Sequence, residues 1–153
     1  MKKEMKKKNN KGFSLVELIV VIAIMAVLMV VLAPAMLRYV EKTRIQKDDS
    51  AVSEVRNALE LTLADDSICS ALNYGNVTVT VTGSNGVIQA SGATGVAASA
   101  IADVQSELDA TTKADTSHAI NITSKDRKGK TYTVTATWSD TLGCYELSEG
   151  AWN

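Results

Sequence analysis

One proline, one histidine and two cysteines occur in the 153 residues of this chain. His118 has no Cys or His partner at metal-ligand spacing, so it reads as a strand-edge residue and no metal site is expected. Asp48-Asp49 and Asp65-Asp66 read as solvated helix positions, not as calcium ligands. The chain has no Gly-rich phosphate loop and no nucleophile–base pair, so neither a cofactor nor catalysis is expected. The most informative absence is charge. No charged residue lies between Glu17 and Arg38, and Leu18 to Ala33 is an unbroken run of sixteen apolar residues.

Charge is concentrated before that run. Residues 1–12 hold six lysines (Lys2, Lys3, Lys6, Lys7, Lys8 and Lys11) against Glu4, a net of +5. Residues 13–153 therefore carry −6 in a chain whose total is −1. A basic patch beside an apolar span reads as membrane topology, because flanking lysines stay cytoplasmic. The remainder is then expected outside the cytoplasmic membrane, where a disulfide can persist. Cys69 and Cys144 allow one pairing, which would close a loop of about 75 residues worth roughly 4 kcal/mol in the chain-entropy account.

Residues 13–37 are long enough to cross a bilayer as a helix and have no polar face. Helix signals continue beyond them. Ile45, Val52, Val55, Leu59 and Leu63 fall on one helical face, and neither Gly nor Pro interrupts residues 35–66. One helix from about residue 14 to 65 is predicted, apolar in its first half and amphipathic in its second. The later residues supply a layer for the amphipathic face to pack on. Val77 to Thr82 alternates Val and Thr and predicts a strand, followed by an Asn85-Gly86 turn and a returning strand over 87–90. Residues 96–110 are weakly helical, with Val96, Ile101, Val104 and Leu108 as the buried face, and the Gly/Ser/Ala-rich stretch 83–100 reads as loop-like and mobile. Strands are predicted at 119–123, 132–138 and 144–147, with a charged turn at 126–130, and Trp138 and Trp152 as core or interface anchors. The fold class is α+β, a long N-terminal helix packed against a small antiparallel sheet. Four segments result: 1–12, 13–37, 38–66 and a head over 67–153.

The junction reads Lys11-Gly12-Phe13-Ser14-Leu15-Val16-Glu17-Leu18 and leads into the apolar run. This resembles the prepilin-type N-terminal methylation motif of type IV pilins and type II secretion pseudopilins. That pattern is a basic leader, Gly, then usually Phe or Met, with Glu fifth in the mature chain. The resemblance is specific over residues 6–34. It implies cleavage between Gly12 and Phe13 by a prepilin peptidase, N-methylation of Phe13, and an assembly role for Glu17 facing a neighbour's N-terminal ammonium. It also implies a helix kink at Pro34, whose ring clashes with the carbonyl of Val30. Ala26 stands where many pilins have Gly. A carboxylate in an apolar segment is costly and is usually functional, and an ammonium about 4 Å away would return roughly 4 kcal/mol at an effective dielectric near 20.

The implied function is a structural subunit of a type IV pilus-like filament. A pseudopilin of a secretion or DNA-uptake machine is the alternative. The implied partners are further copies of the chain, the peptidase, a membrane assembly platform with minor pilins, and lipid before assembly. The implied location is the cytoplasmic membrane with the head outside, then a filament at the cell surface. The basic turn Lys125–Lys130 reads as solvated, so no nucleic-acid partner is expected. Asn76 and Asn121 sit in glycosylation sequons that carry little weight. Two plainer readings compete. Ala33-Pro34-Ala35 before Met36 fits an ordinary secretory cleavage site, and a plain signal anchor would let Glu17 reach the headgroups. Neither accounts for Gly12, Phe13 and Glu17 occurring together.

Overall fold

A computed structural model of the chain describes residues 13–153; the basic leader and Gly12 lie outside the described residues. Residues up to Val40 and residues from Glu41 onward form two separately compact units. Helix α1 spans Leu15–Thr62 and is unbroken at Pro34. Among the described residues of the first unit, 13–40, every side chain is exposed, including Leu15, Ile22, Met29 and Leu37. Burial on α1 begins in the second unit, where Val52, Val55, Ala58 and Leu59 turn one face to a core at helical spacing.

The second unit is that face plus a five-stranded antiparallel sheet and two further helices. The strands are β1 (Val77–Thr82), β2 (Ile88–Gly92), β3 (Thr131–Ser139), β4 (Cys144–Leu147) and β5 (Ala151–Trp152). The order is β2-β1-β3-β4, with β5 pairing β3 beside β4 through Tyr132↔Trp152 and Thr133↔Ala151. Period-2 alternation does the sorting: Val77, Val79 and Val81 are buried and the intervening threonines half-exposed, and Tyr132, Val134 and Ala136 repeat the pattern on β3. Short α2 (Asp66–Ala71) is capped by Asp65, whose carboxylate accepts from the Ser67 N–H at 2.8 Å. Helix α3 (Ala98–Thr112) buries Ala100, Val104 and Leu108, one per turn.

Several expectations are corrected. Residues 83–100 hold β2 and the start of α3, so they are not a loop throughout. Residues 119–123 form no strand: Ala119 alone finds a bridge, to Val87 beside edge strand β2, and the N–H groups of Thr123 and Ser124 go to Asp48 on α1 instead of to a strand. Asp65 caps a helix that its six residues had hidden from the periodicity analysis. Asp48 is fully buried, not solvated. His118 has left-handed backbone at φ +59 and lies outside any strand; its Nδ1 is hydrogen-bonded to Asp109, and its carbonyl accepts the Ile88 N–H at 2.7 Å, beside edge strand β2.

Leu59 is fully buried, whereas Leu61 two residues on is 70 % exposed. Leu59→Ala is expected to cost about 3 kcal/mol through its cavity, and Leu61→Ala less than about 0.5 kcal/mol. Thermal unfolding of the full chain in detergent, followed by near-UV circular dichroism, checks this. Equal losses would place the helix in the wrong rotation.

Candidate functional site

Two constellations carry the chemistry, one at the head of α1 and one where a loop of the second unit meets the helix. At the first, Ser14-Leu15-Val16-Glu17 spells a capping box, and Glu17 Oε2 accepts the Ser14 N–H at 2.9 Å. This bond satisfies one of the donors that a helix start leaves without a partner. The box was legible in the sequence and is absent from the expectations above, which gave Glu17 an assembly role alone. An ionised carboxylate offers about four lone-pair positions, so one backbone N–H leaves room for a cation. Phe13 precedes the helix and is 89 % exposed. From Phe13 onward the apolar side chains project all round, and α1 is long and apolar enough to cross a membrane. Pro34 lies inside this stretch without ending the helix. Gly12, the other half of the expected cleavage site, lies outside the described residues.

The second constellation was not anticipated. Residues 118–130 have no regular structure, yet three carboxylates of α1 hold them. Asp48 accepts the Thr123 N–H at 2.9 Å and the Ser124 N–H at 2.7 Å, with the Thr123 hydroxyl at 3.3 Å. Glu41 accepts the Lys125 N–H at 2.6 Å and the Ser124 hydroxyl at 3.1 Å. Asp49 pairs with Arg127, whose guanidinium lies 4.9 Å over the Trp152 ring. On its other side the loop presses on the β1–β2 turn: a Cβ on Gly86, at φ +71, would meet the Ile120 carbonyl at 1.8 Å, and one on Gly83 the Arg127 carbonyl at 1.9 Å. The basic residues 125–130 therefore belong to a strap latched along α1. Periodicity could not show this, because the donors lie some 75 residues from the acceptors in sequence.

The two cysteines are free thiols, not the expected disulfide. Cys144 opens β4 and is exposed, and it lines the same cleft as Cys69. Cys69 is buried and gives its S–H to the Leu63 carbonyl at 2.9 Å. Burial pushes the Cys69 thiol above its ordinary pKa, and the charges of Asp66 and Asp65 push the same way. Of the two tryptophans, Trp152 backs Arg127 and Trp138 stacks among tyrosines.

Comparison with known proteins gives a consistent pattern. The prokaryotic N-terminal methylation motif matches residues 7–33. Over 87 residues the chain is 36 % identical to prepilin peptidase-dependent protein A of Clostridium perfringens (strain 13 / Type A), an alignment covering 56 % of this chain and 59 % of that relative. No solved structure matches significantly.

The strap predicts an acid response. The Lys125 N–H beside Glu41 holds its carboxyl below the ordinary range against an opposing effect of burial, helped by the Ser124 hydroxyl. A depressed carboxyl contributes stability that is present above its unfolded pKa, about 4.3, and is lost as pH falls through the folded value. Glu41→Gln is expected to flatten the stability–pH curve below that point. Asp48→Asn turns an amide N–H toward one of two buried donors and should cost roughly 2–3 kcal/mol at neutral pH. Thermal melts across pH, read by tryptophan fluorescence, test both; an Asp48→Asn melt matching the parent would remove the latch.

Proposed function

Because this chain is a type IV pilin- or pseudopilin-like protein carrying the prepilin methylation motif, we propose that it is a structural subunit of a type IV pilus-like filament. It is made as a prepilin, cut between Gly12 and Phe13, methylated at Phe13, and held by residues 13–37 in the cytoplasmic membrane with its leader inside and its head outside. An assembly platform then draws it into a filament of like copies with minor pilins, displayed at the cell surface. It acts by assembly and performs no catalysis. The observation that carries this reading is an apolar helix half with every side chain exposed, beginning at Phe13 with a carboxylate one turn in. The name of the Clostridium relative supports the peptidase as a partner.

The physics suits a subunit that changes surroundings. Moving residues 13–37 from lipid into a bundle of like helices replaces one apolar environment with another, so hydrophobic burial favours neither. The decision falls to packing and to Glu17. Within one chain its carboxylate already closes the capping box. A neighbour's N-terminal ammonium at about 4 Å would add roughly 4 kcal/mol at an effective dielectric near 20. That pairing exists only when two subunits stand in the right axial offset, so it supplies both drive and register.

The first test is the intact mass and N-terminal sequence of the protein from its native cells. A start at Phe13, heavier by one methyl group, supports the reading, and a start at Met36 overturns it. The second separates the two uses of Glu17. Glu17→Gln keeps the capping hydrogen bond but carries no charge, whereas Glu17→Ala keeps neither. Both are expected to abolish filaments seen by electron microscopy. Normal filaments from Glu17→Gln would reduce Glu17 to a helix cap. Loss of a secreted cargo or of DNA uptake on deletion, with no fibres formed, would favour the pseudopilin role.

A further inference from the structure

Beside the second unit's core lies a cleft of about 720 Å³ between α2 and the β3–β4 turn, lined by Tyr74, Trp138, Asp66 and Ser70 together with Cys69 and Cys144. Neither the strap nor the apolar half of α1 uses it. Its volume falls in the range of small-molecule sites.

The aromatic wall is fixed, and one part of it is strained. Asn73 and Tyr74 both have left-handed backbone, at φ +53 and +57. Asn tolerates this conformation, but for a bulky Tyr it is a genuine outlier. Such conformations persist where surrounding contacts over-determine them and cluster at ligand clamps. Here the turn is tied by the Tyr74 N–H to the Cys69 carbonyl at 3.3 Å and the Gly75 N–H to the Leu72 carbonyl at 3.0 Å. The Tyr145 hydroxyl grips the Gly75 carbonyl at 2.9 Å. The result lays the Tyr74 ring 4.5 Å from that of Trp138 while leaving Tyr74 half-exposed. Trp138 is locked in turn. Its Nε1–H donates to Asp140 at 2.9 Å, and Tyr145 packs on it edge-on at 5.3 Å.

The polar wall states the ligand's chemistry. Asp66 is the one charged residue lining the cleft, and the Ser70 hydroxyl joins it. No cation lines it, which disfavours phosphates and carboxylates. Tyr74 and Trp138 are tilted 47° with centroids 4.5 Å apart, so Trp138 backs the half-exposed Tyr74 ring, and the pair offers one aromatic face and not the several-sided cage that suits a quaternary ammonium. An aromatic surface in one cleft with a carboxylate and a hydroxyl fits a ligand with one apolar C–H face and a rim of hydroxyl donors. We propose that this cleft binds a neutral carbohydrate, with a pyranose ring stacked on Tyr74, which Trp138 backs, and its hydroxyls donating to Asp66. This goes beyond the filament reading and does not depend on it, since the cleft is complete within one chain.

The test uses the full chain in a polyoxyethylene detergent, which has no sugar headgroup, with N,N′-diacetylchitobiose and maltotriose as probes and choline as the competing cation. Ligand-observed NMR should show saturable binding of at least one sugar at millimolar concentration. Tyr74→Gly removes the ring while relieving the left-handed strain, so it should melt no lower than the parent yet bind at least about tenfold more weakly, a loss of about 1.4 kcal/mol. Trp138→Ala and Asp66→Asn should weaken binding as well. Failure of both sugars to saturate, undiminished binding by Tyr74→Gly, or binding of choline in their place would each overturn the proposal.

Discussion

An apolar helix half with no polar face constrains everything else in this protein. From Leu15 to Leu37 the side chains of α1 face outward on all sides. At about 25 cal/mol for each Å² of apolar surface, leaving them in water is untenable, so they need lipid or like helices around them. The first unit consequently cannot donate a face to the chain's own core without losing the surface through which it meets its surroundings. The core has to be made by the residues that follow, and the change of character along α1 is the sign of that division. Before Arg38 hydrophobicity runs all round the helix, and from Val52 it is confined to a stripe facing sheet and α3.

That stripe and the strands it covers were legible in the sequence because each obeys a period. Val52, Val55 and Leu59 recur at helical spacing, and Val77-Thr78-Val79-Thr80-Val81-Thr82 at strand spacing. What escaped has no period. α2 has six residues and β5 two, too short for a pattern to repeat. Residues 119–123 do alternate, Ala-Ile-Asn-Ile-Thr, yet Ala119 makes a single bridge beside edge strand β2, and the Thr123 N–H is taken by Asp48 on α1. Alternation reports which side of a segment is buried, not whether a neighbour is available to pair with it.

Asp48 is the most instructive failure. A carboxylate on a helix between Lys47 and Asp49 reads as solvated, and that is its usual fate. Here it is buried because the loop supplies N–H donors at Thr123 and Ser124 that satisfy both of its oxygens. The donors are main-chain groups, so no residue type at 123 or 124 announces them. The same holds for Lys125, which contributes its backbone N–H to Glu41 and not its charge. The loop could dispense with regular structure because α1 stands in for the missing ladder. Its backbone donors are met by side chains of a helix already fixed by the core, and Gly83 and Gly86 leave the space it occupies.

Glu17 shows the same economy at the other end of the helix. A carboxylate one turn into an apolar segment costs free energy wherever it sits, and the capping bond to Ser14 lowers that cost within a single chain. It does so through one oxygen and one neutral donor, which leaves other lone pairs of the carboxyl group unused. The residue is therefore tolerable alone and better satisfied opposite a cation. A carboxylate completely paired within its own chain would give a neighbour nothing to bind, and one without any partner would disfavour the membrane-inserted monomer. The Ser14–Glu17 hydrogen bond places this chain between those limits: one oxygen is engaged within the chain, and the remaining lone pairs stay open, as the proposed pairing requires.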